Sequence, residues 1–365
     1  MSHNAKIVVV GGGVIGLSVA WRLGPTCDVT VVEAAAKSAS WVAGGMLAAV
    51  TETWPGEEDL LDLSTASLAA WPAFAAELGI DLQTGGTIAA ALDSADASVL
   101  DTLADHLASL GRDVDRLTGR ELRAVEPTIG PSVRSGLLVP GDLAVDNREL
   151  LRLLRSGAAD RGVRFVERPV RAVTSGSVEM VDGPPIRGDA VVIAAGAWSA
   201  ALHPALATAV RPVKGEILRL RSRAGALPPP RHTVRALVES RAVYLVPRAG
   251  DELVVGATQY EAGFDVEVTV GGVRDLLADA ERVVPGIAEY GLTETAAGLR
   301  AGSRDNLPLV GWLEPGVLVA TGHSRNGLLL APITAAAVEA MVSGADVDPA
   351  VAVADPARLQ HEVTR

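Results

Sequence analysis

Apolar residues arrive in short β-branched runs set between glycine turns and stretches of helical period. Ile7 to Val10 is such a run with no polar face, the pattern of a parallel strand buried on both sides. It ends on Gly11-Gly12-Gly13-Val14-Ile15-Gly16, after which the spacing becomes helical and then yields a second run, Val29 to Val32. Farther on, Leu60 to Leu78 predicts a helix in spite of Pro72, Thr84 to Leu92 a strand after a glycine turn, and Ala95 to Leu110 another helix. Asp146 predicts an N-cap for the helix in NRELLRLLRSGAADRG, followed by strands at Val163 to Val166 and Val170 to Thr174.

The second half repeats the opening pattern. Asp189 to Ser199, DAVVIAAGAWS, is an apolar run ending on Ala195-Gly196, where backbone can pass close to a ligand. From Arg211 the segments EILRLRS, AVYLVPR and DELVVGAT read as an antiparallel sheet with a hairpin at Ala249-Gly250-Asp251. Leu276 to Val284 is helical, and Gly298 to Gly311 a region of strand and loop. Val317 to Thr321 predicts a strand that leads through Gly322-His323-Ser324-Arg325-Asn326-Gly327 straight into a helix. Between these units, AAAKSASWVAGGMLAAVTE after Glu33 has neither period and reads as a small-residue loop, suited to backbone laid along an extended ligand.

The fold class that follows is α/β, a Rossmann-like nucleotide-binding domain with a second α+β domain on a largely antiparallel sheet. With no flexible linker in the chain, both domains are expected to be discontinuous: 1–82, 141–212 and 296–365 for the first, 83–140 and 213–295 for the second. A length of 365 residues suits two domains. The net charge of −12 argues against nucleic acid or an anionic membrane as partner. The single cysteine, Cys27, permits no intrachain disulfide and reads as a small core residue. The short apolar run before the glycines is no signal peptide, and Leu328 to Val342 is too short and interrupted to span a bilayer, so a cytoplasmic location is expected.

The opening unit carries the first chemistry. Gly11 permits a sharp turn, Gly13 brings backbone N–H groups close to a pyrophosphate, and Gly16 lets the helix pack on the sheet, with the anion at the positive helix N-terminus. Glu33 closes the second strand about 20 residues on, where a carboxylate binds the hydroxyls of an unphosphorylated adenosine ribose. This motif alone serves nicotinamide and flavin proteins equally. On the residues alone Arg300 is equally a surface or ion-paired arginine and Tyr244 a core tyrosine. Met46 could simply pack, Arg325 could tie down its own loop, and His323 could use only its backbone.

Six segments together are far more specific: IVVVGGGVIG, ASWVAGGMLA from Ala39, RPVKGE from Arg211, YLVPR from Tyr244, AGLRAG from Ala297 and GHSRNGLLLAP from Gly322. Over nearly the whole chain they resemble the FAD-dependent D-amino-acid oxidase family, and within it the glycine oxidases that serve thiamine biosynthesis. The resemblance implies noncovalent FAD, since Cys27 lies far from the attachment points of related sarcosine oxidases. It implies that Val14, Ile15, Glu33 and Ala34 hold the adenosine diphosphate half, with Val170 near the adenine and Gly196 ending a second cofactor-facing strand. Ala39, Ser40, Gly44, Gly45 and Met46 match the loop along the flavin. His323, Ser324, Arg325, Asn326, Gly327, Leu328 and Leu329 match a second flavin turn, where the following helix would stabilise negative charge on the reduced ring. Arg300 matches the anchor for the substrate carboxylate and Tyr244 the hydroxyl that assists it, with Arg325 and Met46 facing substrate.

The activity implied is oxidative deamination of glycine, with sarcosine and small D-amino acids beside it, to the 2-oxo acid, ammonia and hydrogen peroxide, feeding the thiamine thiazole. The expected partners are a small amino acid and dioxygen, and a homo-oligomer is compatible. No side chain is assigned as acid or base, and no metal site is assigned. The rivals are a D-amino-acid dehydrogenase with a quinone or protein acceptor, an NAD-dependent dehydrogenase, and a non-catalytic FAD-binding subunit. Two departures stand out: Ala301 follows Arg300 where the family commonly has proline, and Ser324 precedes Arg325 where it often has an aromatic residue.

Overall fold

A computed structural model describes residues 4–34, 38–112 and 114–361; Ala35, Ala36 and Lys37 of the small-residue loop, and the outermost residues of the expected first domain, lie outside the described residues. The run Ile7 to Val10 is the heart of a six-stranded sheet. Lys6–Val10 pairs in parallel with Asp28–Glu33 on one side and Ala190–Ile193 on the other, and Arg164–Glu167 and Val317–Thr321 extend the parallel array outward. Leu309–Glu314 closes one edge antiparallel to Val317–Thr321. Strand order therefore reverses on either side of Lys6–Val10, and its carboxyl end, where the glycines begin, opens onto the crevice of a topological switch point.

Each residue from Ile7 to Val10 is at most 3% exposed, because both faces of the sheet are covered. One face packs under helices Val14–Leu23, Glu58–Leu78, Asn147–Asp160 and Ala331–Ser343. The other packs under a small sheet of Val170–Thr174, Ser177–Met180 and Ile186–Arg187 through Val173, Val178 and Met180. Asp146 caps Asn147–Asp160 as expected, its Oδ1 accepting from the Arg148 and Glu149 N–H groups at 2.9 and 3.1 Å. Pro72 is carried inside Glu58–Leu78 because the adjoining turns are pinned: Trp71 is fully buried, meets Phe74 edge-on at 5.3 Å, and donates from Nε1 to the Leu329 carbonyl at 2.9 Å.

The second sheet has eight strands in the order Gly291–Gly302, Arg211–Arg221, Glu252–Gly256, Arg241–Arg248, Thr233–Val238, Thr87–Ala91, Ser135–Val139 and Asp115–Thr118. It is antiparallel except where Thr233–Val238 meets Thr87–Ala91. The expected hairpin at Ala249-Gly250-Asp251 is present, with Gly250 and Asp251 at φ of 72° and 60°. Helices Val270–Val283 and Ser94–Ser109 cover this sheet through Leu276, Ala280 and Val283 and through Leu100, Leu103 and Leu107.

Several elements depart from the sequence reading. The loop after Glu33 contains a one-turn helix, Ala39–Val42, capped by Ser38, and a short strand, Met46–Leu47. Gly119–Val125 is a further helix with a capping box between Thr118 and Glu121. The last long helix begins at Ala331 and not directly after Gly327; Pro332 sits in its first turn, and residues 322–330 form turns of their own. Among the described residues no helix is long and apolar enough to cross a membrane.

Close packing of the first helix on the sheet rests on Gly16, where a Cβ would lie 1.9 Å from the Gly11 carbonyl oxygen. Gly16→Val is expected to destabilise the chain by about 2–3 kcal/mol through overpacking, measured by thermal or urea unfolding. Gly141→Ala, where a Cβ meets nothing within 4 Å, should leave the transition unchanged.

Candidate active site

The groove starts at the glycine turn. Gly11 has φ +124°, its N–H donates to the Val32 carbonyl at 2.8 Å, and a Cβ there would fall 2.2 Å from the Ala194 carbonyl oxygen. The backbone thus passes between two strand ends at a distance only glycine allows. Gly13 is the N-cap of Val14–Leu23 and has no side chain to occupy the first-turn N–H groups, which leaves an anion-binding helix start. The Val14 N–H reaches Ser40 Oγ at 3.1 Å and ties this turn to the Ala39–Val42 helix.

A cleft of about 480 Å³ runs from this turn. It is lined by Glu33, Ala34 and Val170, by Val14 and Ile15, and by Gly196, His323, Ser324 and Gly327. Glu33 is fixed by Arg155, whose Nη1 lies 2.5 Å from its Oε1 and whose guanidinium rests 4.4 Å over the Phe165 ring. A second cavity of about 150 Å³ is lined by Gly44, Gly45 and Met46, by Tyr244 and Arg300, and by Arg325, Asn326 and Leu328. Val14, Ala39, Ser40, Arg300, Ser324 and Gly327 border both, so the two form one elongated groove with Glu33 toward one end and Tyr244 toward the other. An extended dinucleotide with a small substrate beyond it fits that shape and that donor set.

At the far end the charges are unequal. Arg300 lies on the bare Cα of Gly215, where a Cβ would come 2.4 Å from Nη1, and among the described residues its one hydrogen bond goes to the Thr258 carbonyl at 3.3 Å. No carboxylate among the described residues pairs with it. Arg325 is neutralised: Nη2 donates to the Glu52 carbonyl at 2.8 Å and lies 3.4 Å from Glu57 Oε2, while Nε lies 3.4 Å from Glu52 Oε2. Glu52 in turn holds Arg235 at 2.8 Å. The Tyr244 ring packs on Gly256, and its hydroxyl makes no hydrogen bond among the described residues. Burial raises the Tyr244 pKa, so the phenol stays protonated and able to donate.

Two expected residues serve differently. Leu329 lines neither cavity: it is 2% exposed in the core, and its carbonyl accepts from Ser67 Oγ at 2.6 Å as well as from Trp71. Packing of the Glu58–Leu78 helix draws it inward. His323 borders the groove, but its ring is buried against Thr334 Oγ1 at 3.0 Å and burial pushes its pKa down to about 3, so it is a neutral structural imidazole. The sequence reading missed Glu52, Arg235 and Asp142. Only the position of Glu52 at the end of the loop that follows Glu33 could have signalled it.

A family model described as FAD dependent oxidoreductase matches residues 6–341. The chain is 34% identical over 360 residues to a glycine oxidase of Geobacillus kaustophilus, covering 94% of each. It is 32% identical over 372 residues to the bifunctional protein ThiO/ThiG of a Synechocystis species, covering 98% of this chain and 55% of that protein. The crystal structure of glycine oxidase from Geobacillus kaustophilus matches with a TM-score of 0.86 at 33% identity, over 97% of this chain and 98% of that one. Iminodiacetate oxidase from Chelativorans sp. BNC1, at 22% identity and a TM-score of 0.84 over 96% and 98%, shares the fold.

Behind Glu52, the fully buried Asp142 accepts from Thr51 Oγ1 at 2.8 Å, and burial pushes its carboxyl from 3.8 up to about 6 despite that bond and the charge of Arg235. The folded chain thus holds a proton that the unfolded chain has released between these values. This group's contribution favours folding below about pH 4 and is lost as pH rises through about 6. Asp142→Asn is expected to raise unfolding stability at pH 8 by about 1–3 kcal/mol, with the gain vanishing by pH 4, read from melting curves across that range.

Proposed function

Because this chain belongs to the FAD dependent oxidoreductase family, matched over residues 6–341, we propose that it oxidises glycine, with sarcosine and small D-amino acids as lesser substrates. It is an FAD-dependent amino-acid oxidase. In the proposed reaction glycine, water and dioxygen give glyoxylate, ammonia and hydrogen peroxide. The glycine oxidase relatives, and those named ThiO/ThiG, support glycine as substrate and a supply role in thiamine biosynthesis.

The observation that carries this reading is Arg300, a guanidinium facing the cavity with a single carbonyl partner among the described residues. Its planar fork receives a carboxylate through two parallel hydrogen bonds, fixing direction as well as position. The Tyr244 hydroxyl donates to the same carboxylate. With that group held, the substrate Cα is presented to the groove beyond Ser324 and Gly327. FAD, when bound, supplies the two-electron acceptor for the Cα–H bond, and the neutral substrate amine supplies the electron pair that forms the imine. Val14, Ile15, Glu33 and Ala34 would hold the adenosine diphosphate half and Ala39 to Met46 the rest. No side chain is needed as a base. His323 is neutral with its Nε2 engaged by Thr334, which fits that economy. The chain supplies orientation and exclusion of water.

Anaerobic addition of glycine to the yellow holoenzyme is expected to bleach the flavin, and aerobic turnover to release one peroxide per glycine. Bleaching without peroxide would reassign the acceptor to a quinone or protein. No bleaching by glycine, sarcosine or D-alanine, with dithionite still effective, would reject the oxidase reading. Arg300→Ala should keep FAD and raise the apparent KM for glycine by a factor equivalent to about 2–4 kcal/mol, the cost of truncating one partner of a buried charged pair. Unchanged steady-state kinetics in that variant would remove Arg300 from the site.

A further inference from the structure

The strand Arg211–Arg221 does two different things on its two faces. Gly215 and Ile217 border the cavity, and Arg300, paired through Val213 in the neighbouring strand, lies on the same face. Lys214 and Glu216 point to the opposite face, at 1% and 0% exposure. There they meet the segment that returns from Glu252–Gly256 to helix Val270–Val283. Lys214 Nζ binds Asp265 Oδ2 at 2.5 Å and the Glu267 carbonyl, and lies 3.7 Å from Glu216 Oε1. Glu216 Oε1 accepts the Thr269 N–H at 2.8 Å, and its Oε2 accepts the Thr258 and Thr269 hydroxyls at 3.2 and 3.4 Å. Both ends of the returning segment, Thr258 and Thr269, are thereby fastened to one enclosed carboxylate.

Thr258 joins the two faces. Its Oγ1 also accepts the Glu216 N–H at 2.9 Å, its N–H donates to the Glu216 carbonyl at 3.3 Å, and its own carbonyl is the sole acceptor for Arg300 among the described residues. Resting on the reading of Arg300 as carboxylate anchor, we propose that Glu216 is a positioning residue for substrate binding, aiming the Arg300 guanidinium through Thr258. An arginine side chain with one hydrogen bond and no counter-ion is free to turn about its long stem. The Thr258 carbonyl holds one edge of the fork and leaves the rest facing the cavity. Holding a strap alone would not call for buried charge, since apolar groups of similar volume do that as well or better. A rigid, fully bonded carboxylate fixes the residue whose carbonyl Arg300 uses, and with it that carbonyl's direction, which apolar packing does not.

The test uses the purified holoenzyme, with acetate as a bare carboxylate probe followed by the flavin absorbance, and anaerobic glycine reduction resolved into half-saturation and limiting rate. Thr258→Val and Glu216→Gln are each expected to weaken acetate binding and raise the glycine half-saturation by roughly 5- to 20-fold, with the limiting rate and FAD affinity within about twofold. Thr258→Ser, which keeps the hydroxyl, should restore binding. In an Arg300→Ala background the added Thr258→Val substitution should change acetate binding by less than about twofold, because the effect runs through a guanidinium no longer there. A full effect persisting in that background, a parallel loss of FAD, or wild-type acetate binding in Thr258→Val overturns the proposal. If Arg300→Ala itself leaves acetate binding unchanged, the anchor reading fails first; if it weakens binding and Thr258→Val does not, only the positioning role fails.

Discussion

A guanidinium inside a protein cavity with no carboxylate beside it is an incomplete electrostatic arrangement, and much of this site is built to keep it so. Arg300 needs a floor without a side chain, which Gly215 provides, and a neighbour that orients without neutralising, which the Thr258 carbonyl provides. The other arginine at this end is silenced: Glu52 and Glu57 bind Arg325 while Glu52 also binds Arg235. Among the described residues one positive charge without a carboxylate partner therefore faces the cavity, next to a phenol without a hydrogen bond. In the proposed reaction an amino acid's carboxylate would complete both.

The two sheets divide the work. The parallel sheet ends in backbone N–H groups, small residues and one fixed carboxylate, Glu33, which suits a long polar cofactor. The antiparallel sheet supplies side chains of defined direction, because cross-strand registers such as Val213 opposite Arg300 and Gly256 opposite Tyr244 dictate which face each residue takes. The shared wall is the pair of segments around Ser40 and Ser324, where the groove turns from one sheet's territory to the other's. His323 borders the groove with its ring bound to Thr334, and the buried Asp142 is bound by Thr51, the residue before Glu52.

What could be read from the chain follows the range of the forces involved. The opening strand, turn and helix were legible because each residue answers a local rule: β-branched residues in a doubly covered strand, Gly11 at positive φ, Gly16 under a close helix. Asp146 and the Gly250 hairpin were legible for the same reason. Arg300 and Tyr244 emerged from segment patterns shared with a family rather than from any local rule. Illegible were the features fixed by partners distant in sequence. Leu329 turns inward because Trp71 and Ser67 claim its carbonyl from more than 250 residues away. Thr258 meets Arg300 across 42 residues and carries no signal of it. The late start of the helix at Ala331 likewise depends on how the preceding turns are held.

The interleaving of the two sheets along the chain also sets an order of events in the cell. Lys6–Val10 lies between Asp28–Glu33 and Ala190–Ile193, and the latter leans on Val317–Thr321. At roughly 5–20 residues per second, a ribosome releases the first strand tens of seconds before its second neighbour, while its valines expose an unpaired edge. During that interval the glycine turn exists without the Ala194 carbonyl and the Ser324–Gly327 segment that complete the groove. Both walls of the groove are present together only in a chain synthesised past Gly327, so the site is assembled late although its glycine turn is made first.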